Sequence, residues 1–199
     1  SGDRGNYILE RQDLGFLILG KEMTNSSDDN LCLINIDSEG SEIWHSLYGG
    51  NDSDEGIYLS EVSGGGFIIA GSSKSYGNGN WDDMWLVKIS SGGSMEWQKT
   101  FGGSYDEIGN YTHEKTEGGF FIVGSTESLG QGLHDIWVVS TDYTGNEIYS
   151  QTIGGGVDDK ALNGARSDNG ALLIIGYTES FGNGGADVIF ISIDPDYEP

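Results

Sequence analysis

The chain has 199 residues, of which 32 are acidic and 9 are basic, and its net charge of −23 excludes the basic stripe that a nucleic-acid-binding surface requires. Its single cysteine, Cys32, excludes an internal disulfide framework, and no apolar run approaches the roughly 20 residues that span a bilayer. We therefore expect one β domain over residues 1–199, with no nucleic-acid partner and no membrane insertion.

Gly-Gly pairs at 49–50, 102–103 and 154–155 mark a repeat of 52 to 53 residues. A repeat of this length with several short β segments is typical of propellers and arrays. We divide the chain into four units, which cover residues 1–50, 51–103, 104–155 and 156–199. Each unit is expected to form strands a, b, c and d in chain order.

Strand a opens each unit and is predicted over residues 6–12, 57–63, 110–116 and 162–168. An aspartate precedes it every time: Asp3, Asp54, Asp106 and Asp158. Within the strand one position holds Tyr7, Tyr58 and Tyr111, with Asn163 in the fourth unit. A later position holds Glu10, Glu61 and Glu114, with Arg166 in the fourth unit.

Strand b consists of continuous apolar runs at 16–20, 67–71, 120–124 and 172–176, each preceded by a tight glycine turn or a related turn. A continuous apolar run predicts burial on both faces of a strand. Sheets that stack face to face require such burial, whereas a single two-layer sandwich does not require it of every strand.

Strand c follows an aspartate in each unit: Asp29, Asp83, Asp135 and Asp187. The alignment gives Leu31 the position of Trp85 and Trp137, and gives Cys32 the position of Leu86 and Val138, which predicts that Cys32 is a small core residue. Strand d is predicted at 42–48, 95–101 and 146–153, and the fourth unit has none.

Residues 118–155, and nearly as well 65–103, follow the pattern GGFxIxGxTxSxGxGxxDxWxVxxDxxGNxxWxxTxGG. This pattern resembles the repeats of secreted and surface-attached bacterial and archaeal β-propellers. It is similar to kelch repeats in the Gly-Gly after strand b and in the aromatic residue on strand d. The resemblance covers the whole chain and implies four-stranded blades with strand a innermost, at an extracellular or cell-surface location.

The expected fold is therefore an all-β propeller of four blade repeats of about 50 residues, either four-bladed or part of a larger propeller. The last blade lacks its outer strand, so strand c at 188–193 would leave an open edge. A ring with a thin last blade, a piece of a longer propeller and self-assembly by strand addition all fit this pattern.

Three sets of residues are candidate site residues. If strand a is innermost, the carboxylates and the arginine converge on the channel, where carboxylates can hydrolyse glycosides or simply be solvated: Glu10, Glu61, Glu114 and Arg166. The tyrosines offer a platform for sugars or peptides, or pack between blades: Tyr7, Tyr58 and Tyr111. The aspartates before strand c offer oxygen ligands to Ca²⁺, or fix Asx turns: Asp29, Asp83, Asp135 and Asp187.

No nucleophile elbow, metalloprotease motif or phosphate loop is present in the sequence, and the three histidines are expected to be incidental surface residues. We therefore expect a non-catalytic extracellular scaffold or recognition module that binds a protein or a glycan and needs no cofactor, with calcium as the one candidate ion. The alternatives are a carbohydrate-active enzyme that uses the channel carboxylates and a structural subunit that assembles through its open strand edge.

Overall fold

Short antiparallel strands dominate the computed structural model, which describes residues 2–11, 15–25 and 28–194. The described residues form fifteen strands and no helix, and therefore no helix that could cross a membrane. In chain order the strands are β1 (Arg4–Arg11), β2 (Gly15–Asn25), β3 (Asp28–Ile36), β4 (Glu42–Tyr48), β5 (Asp54–Glu61), β6 (Phe67–Ser73), β7 (Asp83–Ile89), β8 (Met95–Phe101), β9 (Glu107–Glu114), β10 (Phe120–Thr126), β11 (Asp135–Thr141), β12 (Glu147–Ile153), β13 (Asp159–Arg166), β14 (Leu172–Thr178) and β15 (Asp187–Ile193).

The strands form four sheets, and each strand pairs with its neighbour along the chain. Sheet one is β1–β4, sheet two β5–β8, sheet three β9–β12 and sheet four β13–β15. The all-β prediction and the three-strand fourth unit are thus confirmed for the described residues. Gln12, the last residue of the first predicted strand a, lies outside them.

Sheet one carries a one-residue correction to the predicted alignment. Cys32 pairs with Gly20 as Trp85 pairs with Gly71, so Cys32 takes the tryptophan position and not that of Leu86. By the same register Asn30, and not Asp29, is the equivalent of Asp83. The error arose because this unit has two adjacent aspartates and no tryptophan to fix the register, and a one-residue slip exchanges the two faces of a strand.

Successive sheets pack face to face through three apolar clusters, one between each pair of neighbouring sheets. We call the face that a sheet turns toward the next unit its forward face and the other its backward face. In sheet two, Ala70, Met84 and Leu86 belong to the forward face, and Trp85 and Val87 belong to the backward face. The first strands of the four sheets lie side by side along the stack, and we call them the inner strands: β1, β5, β9 and β13.

Burial on both faces is confirmed for the two central sheets and is wrong for the first and the last. In sheet one, two side chains within residues 16–20 are only half-buried. Residues 67–71 and 120–124 are buried throughout, whereas 172–176 alternate, with Ile175 51% exposed. The apolar run in sheet four has the composition of an internal strand, but no sheet among the described residues covers its forward face.

The stack consequently ends in two uncovered apolar faces. On the forward face of sheet four, Val188 and Phe190 are 80% and 67% exposed, although their equivalents Met84 and Leu86 are fully buried in sheet two. On the backward face of sheet one, Ile8 is 59% exposed, whereas its equivalent Leu59 is fully buried.

Candidate functional site

A β-bulge interrupts each inner strand, and two of the four bulges connect neighbouring sheets. The extra residue is Asn6 in β1 and Asn110 in β9. Asn6 Nδ2 donates to the carbonyl of Gly56 at 2.8 Å, and Asn110 Nδ2 donates to the carbonyl of Ala161 at 2.7 Å. A bulge leaves one residue outside the ladder, and here its side chain bonds the backbone of the next inner strand.

The three predicted tyrosines follow these bulges and form a continuous row. The ring centroids of Tyr7 and Tyr58 lie 4.7 Å apart, as do those of Tyr58 and Tyr111, with tilted planes. Tyr111 is almost fully buried, and burial raises its pKa to about 12. The row ends against Gly164, where a Cβ atom would lie only 2.5 Å from the Tyr111 ring. The geometry is that of packing between sheets, and a sugar platform stays a prediction.

The predicted carboxylate set occupies one equivalent position at the end of each inner strand, opposite the first apolar residue of strand b. Three of its members join neighbouring sheets. Glu61 lies 3.6 Å from Arg11 Nε, and Glu114 accepts hydrogen bonds from the amide and hydroxyl of Ser63 at 2.6 and 2.8 Å. Arg166 donates to the Thr116 hydroxyl at 2.8 Å, and Glu10 is exposed.

Two of these four residues share a groove. Glu114 and Arg166 line a groove of about 390 Å³ at the ends of the third and fourth inner strands, together with Ser63 and residues 115–118. Glu10 and Glu61 do not line it. The groove therefore holds two carboxylates, Glu114 and Glu117, beside the cations of Lys115 and Arg166, and it does not contain the predicted pair of Glu61 and Glu114.

A second set of carboxylates opens the inner strands, and the sequence alignment placed only one of them, Asp54, correctly. Asp54, Glu107 and Asp159 begin β5, β9 and β13 and are fully buried. Glu107 accepts hydrogen bonds from the amide of Gly103 at 2.8 Å, the hydroxyl of Thr126 at 2.9 Å and the amide of Ser128 at 3.0 Å. It thereby ties the chain leaving sheet two to strands a and b of sheet three.

The prediction that Asp106 and Asp158 open these strands is wrong, because each lies one residue before the buried carboxylate that does so. The signal was available, since Asp54, Glu107 and Asp159 each stand four residues before the aligned position of Tyr58, Tyr111 and Asn163. The change from Asp to Glu at 107, next to Asp106, concealed it.

Among the predicted calcium ligands, Asp83 and Asp135 each face the buried carboxylate of the following sheet. A Cβ atom on Gly102 would lie 2.3 Å from Asp83 Oδ1 and 2.6 Å from Glu107 Oε2, so both carboxylates close around this glycine. Burial, and then the charge of Glu107, raise the pKa of Asp83, against the opposing effect of the Asn78 amide. Asp83 Oδ1 is buried and has no hydrogen-bond partner among the described residues.

The four aspartates differ in what surrounds them. Asp83 and Asp135 each accept a loop amide, from Asn78 and Gln131, at 2.8 Å. Asp187 accepts the Asn183 amide at 3.0 Å, and Asp29 pairs with Lys21 at 2.7 Å. The loop-fixing role therefore has direct hydrogen bonds at three positions, and calcium binding stays a prediction.

Asp83→Asn is expected to raise the free energy of unfolding at pH 7 by about 1 kcal/mol in chelator-containing buffer, because an amide at this position donates to Glu107 and leaves no unpaired oxygen. Because folding raises the pKa of Asp83, ionisation of this carboxyl lowers the stability of the folded protein. This cost is absent below the pKa that Asp83 has in the unfolded chain, and it appears as the pH rises through the pKa in the folded protein. The gain should therefore shrink as the pH falls through the raised pKa of folded Asp83 and be absent below about pH 4. Urea denaturation across this pH range measures it.

The matched control is Asp187→Asn, at the equivalent position of sheet four, after which the described residues form no further sheet. It should leave the stability unchanged. If added Ca²⁺ raises the melting temperature of the wild type and Asp83→Asn abolishes that rise, the pair is a calcium site and the repulsion hypothesis is wrong.

The histidines do not converge. His134 bridges sheets three and four, with Nδ1 2.6 Å from Asp158 and Nε2 2.5 Å from Glu127. His113 is buried between Tyr111 and Phe121, and burial lowers its pKa to about 4, which corrects the expectation that it lies at the surface. His45 lies beside Cys32 and Glu22 on the backward face of sheet one.

A scan against protein-family models gives no match, and a search of curated proteins gives none either. The resemblance to surface propeller repeats is therefore carried by the sequence motif alone.

Proposed function

We propose that the four sheets are successive blades of a β-propeller and that the protein is a non-catalytic extracellular scaffold, which joins a second copy of itself through its two end faces. The blade assignment is supported by four consecutive antiparallel sheets whose inner strands lie side by side. Propellers contain typically four to eight such blades around an axis.

The observation that carries the scaffold function is the pair of apolar end faces. Every internal interface joins the forward face of one sheet to the backward face of the next. The forward face of sheet four and the backward face of sheet one are the two halves of one more interface of this kind. Exposed apolar patches of this extent mark interaction sites.

A second copy supplies both missing halves at once. If sheet four of one chain packs on sheet one of its partner, two-fold symmetry places the partner's sheet four on the first chain's sheet one. The assembly then closes as a ring of eight sheets and leaves no end face uncovered. Each new interface joins a forward face to a backward face, as between sheets one and two, but sheet four supplies three strands and Cys32 replaces the tryptophan of sheet two.

We expect wild-type protein to sediment as a dimer at micromolar concentration, and Phe190→Glu to sediment as a monomer, because a charge would be buried in both symmetric contacts. Ile8→Glu, on the backward face of sheet one, should have the same effect. Ile148→Glu is the control, since this residue is 57% exposed on the outer strand of sheet three, away from both end faces. Analytical ultracentrifugation over a concentration series measures all four proteins.

A strictly monomeric wild type contradicts this proposal, and so does a polymer that grows with concentration, since the contact would then not close. Strand addition at the β15 edge predicts that Phe190→Glu still dimerises, because the substitution leaves the edge amides in place.

The non-catalytic part of the proposal is tested on a panel of glycans and glycosides. The groove beside Arg166 supports recognition of a ligand, and binding lost in Arg166→Ala agrees with a recognition surface there. Turnover that disappears in Glu61→Gln and Glu114→Gln would instead establish the carbohydrate-active alternative.

A further inference from the structure

A cysteine, a histidine and a glutamate meet on the backward face of sheet one. Glu22 lies on β2, Cys32 on β3 and His45 on β4. Cys32 pairs with Gly20 on β2 and with Leu47 on β4. Glu22 lies two residues after Gly20, and His45 lies two residues before Leu47. Both therefore lie on the same face of the sheet as Cys32. The three ligands therefore form a diagonal row across three adjacent strands.

The ligand atoms lie within about 0.2 Å of the spacing of a tetrahedral metal site. Cys32 Sγ lies 3.3 Å from His45 Nε2 and 3.8 Å from Glu22 Oε2, and Nε2 lies 3.1 Å from Oε2. Zinc bond lengths of about 2.3 Å to sulfur and about 2.0–2.2 Å to nitrogen or oxygen place tetrahedral ligands roughly 3.3–3.6 Å apart. One ion placed above this triangle can reach all three atoms.

The repeat supplies an independent observation, because sheet one departs from the other sheets at all three positions together. Trp85 and Trp137 stand where Cys32 stands, Ser73 and Thr126 where Glu22 stands, and Gln98 and Ser150 where His45 stands. None of these six residues is a common zinc ligand. Three unrelated repeat positions thus change to ligating side chains in the one sheet where they meet.

We propose that Glu22, Cys32 and His45 bind one zinc ion, with a fourth position that is open to solvent in the monomer and faces the partner's sheet four in the dimer proposed above. Thiolate and imidazole select zinc over calcium or magnesium, and a carboxylate oxygen completes the set. The loss of the tryptophan leaves a cavity of about 240 Å³ beside Cys32, lined by Ile18, Gly20, Glu22 and Ile34 among others, which gives a water or a further ligand access. All three ligands come from one chain, so the site does not depend on the dimer proposed above.

Titration of reduced, metal-free protein with Co²⁺ tests the site. One equivalent should produce a thiolate-to-cobalt charge-transfer band and the visible bands of tetrahedral cobalt, and Zn²⁺ should displace both. Cys32→Ser should remove the charge-transfer band. His45→Gln and Glu22→Ser should weaken zinc binding by at least about 100-fold, since removing a ligand costs at least as much as removing its supporting group.

The last two variants introduce the residues found at the equivalent positions of sheet two, Gln98 and Ser73, and circular dichroism should show them folded. His134→Gln is the matched control, because His134 contacts two carboxylates but no thiol. This variant should leave the zinc affinity unchanged. Zinc affinity that survives Cys32→Ser, or that falls in His134→Gln, overturns the proposal. So does a stoichiometry of one ion per two chains in sedimentation.

Discussion

Glu107→Ala is expected to lower the free energy of unfolding by about 3 to 5 kcal/mol. The carboxylate is fully buried and accepts three hydrogen bonds, from Gly103, Thr126 and Ser128. Alanine removes the acceptor of the Gly103 amide and of the buried Thr126 hydroxyl, while the Ser128 amide keeps its hydrogen bond to Thr126 Oγ1. Hydrogen bonds to a charged group contribute about 1.5–3 kcal/mol each. Relief of the repulsion from Asp83 offsets part of this loss. Chemical denaturation followed by tryptophan fluorescence measures the change.

The repeat provides the control for this experiment. Asp54 and Asp159 perform the same role in sheets two and four, so Glu107→Asp keeps a carboxylate of a length that the site accepts elsewhere. This variant should lose less than about 1 kcal/mol. If Glu107→Asp is as unstable as Glu107→Ala, the side-chain volume matters and the hydrogen bonds do not.

Trp85→Ala is the second large effect, with an expected loss of about 4 kcal/mol. Trp85 is fully buried between sheets one and two, and its Nε1 donates to Gln98 Oε1 at 2.8 Å. Removal of a buried tryptophan typically costs about 3–5 kcal/mol through lost apolar contacts and the cavity left behind. Here the cavity opens at the interface that joins the two sheets.

Trp81→Ala is the matched control, since Trp81 is 46% exposed in the loop before β7 and its ring lies beside that of Tyr105. Its loss should stay below about 1 kcal/mol. Equal losses in the two variants would mean that the sheet interface does not stabilise the fold in the way described. Differential scanning calorimetry separates the two outcomes.

The strands were predictable because their apolar pattern is local. The runs at 67–71 and 120–124 indicated burial on both faces, and both faces are buried. The run at 172–176 has the same composition, yet its forward face is open. A sequence shows which surface is suited to burial, but whether a partner covers it depends on what else is present.

The candidate sites depended on register, which the sequence determines less well. The predicted burial of Cys32 is confirmed, but a slip of one residue aligned it with Leu86 and hid its place beside His45. Glu22, Cys32 and His45 come from three strands and three different repeat positions, so no spacing motif links them. Glu107 was missed because a neighbouring aspartate fitted the repeat by residue type.

Each sheet makes its main packing contacts with its immediate neighbours only. Duplication or deletion of one unit therefore creates a single new interface between sheets. That interface joins a forward face to a backward face, as every existing interface does. Arrays of different length can arise in this way by copying whole units, with no compensating substitutions inside the units that remain.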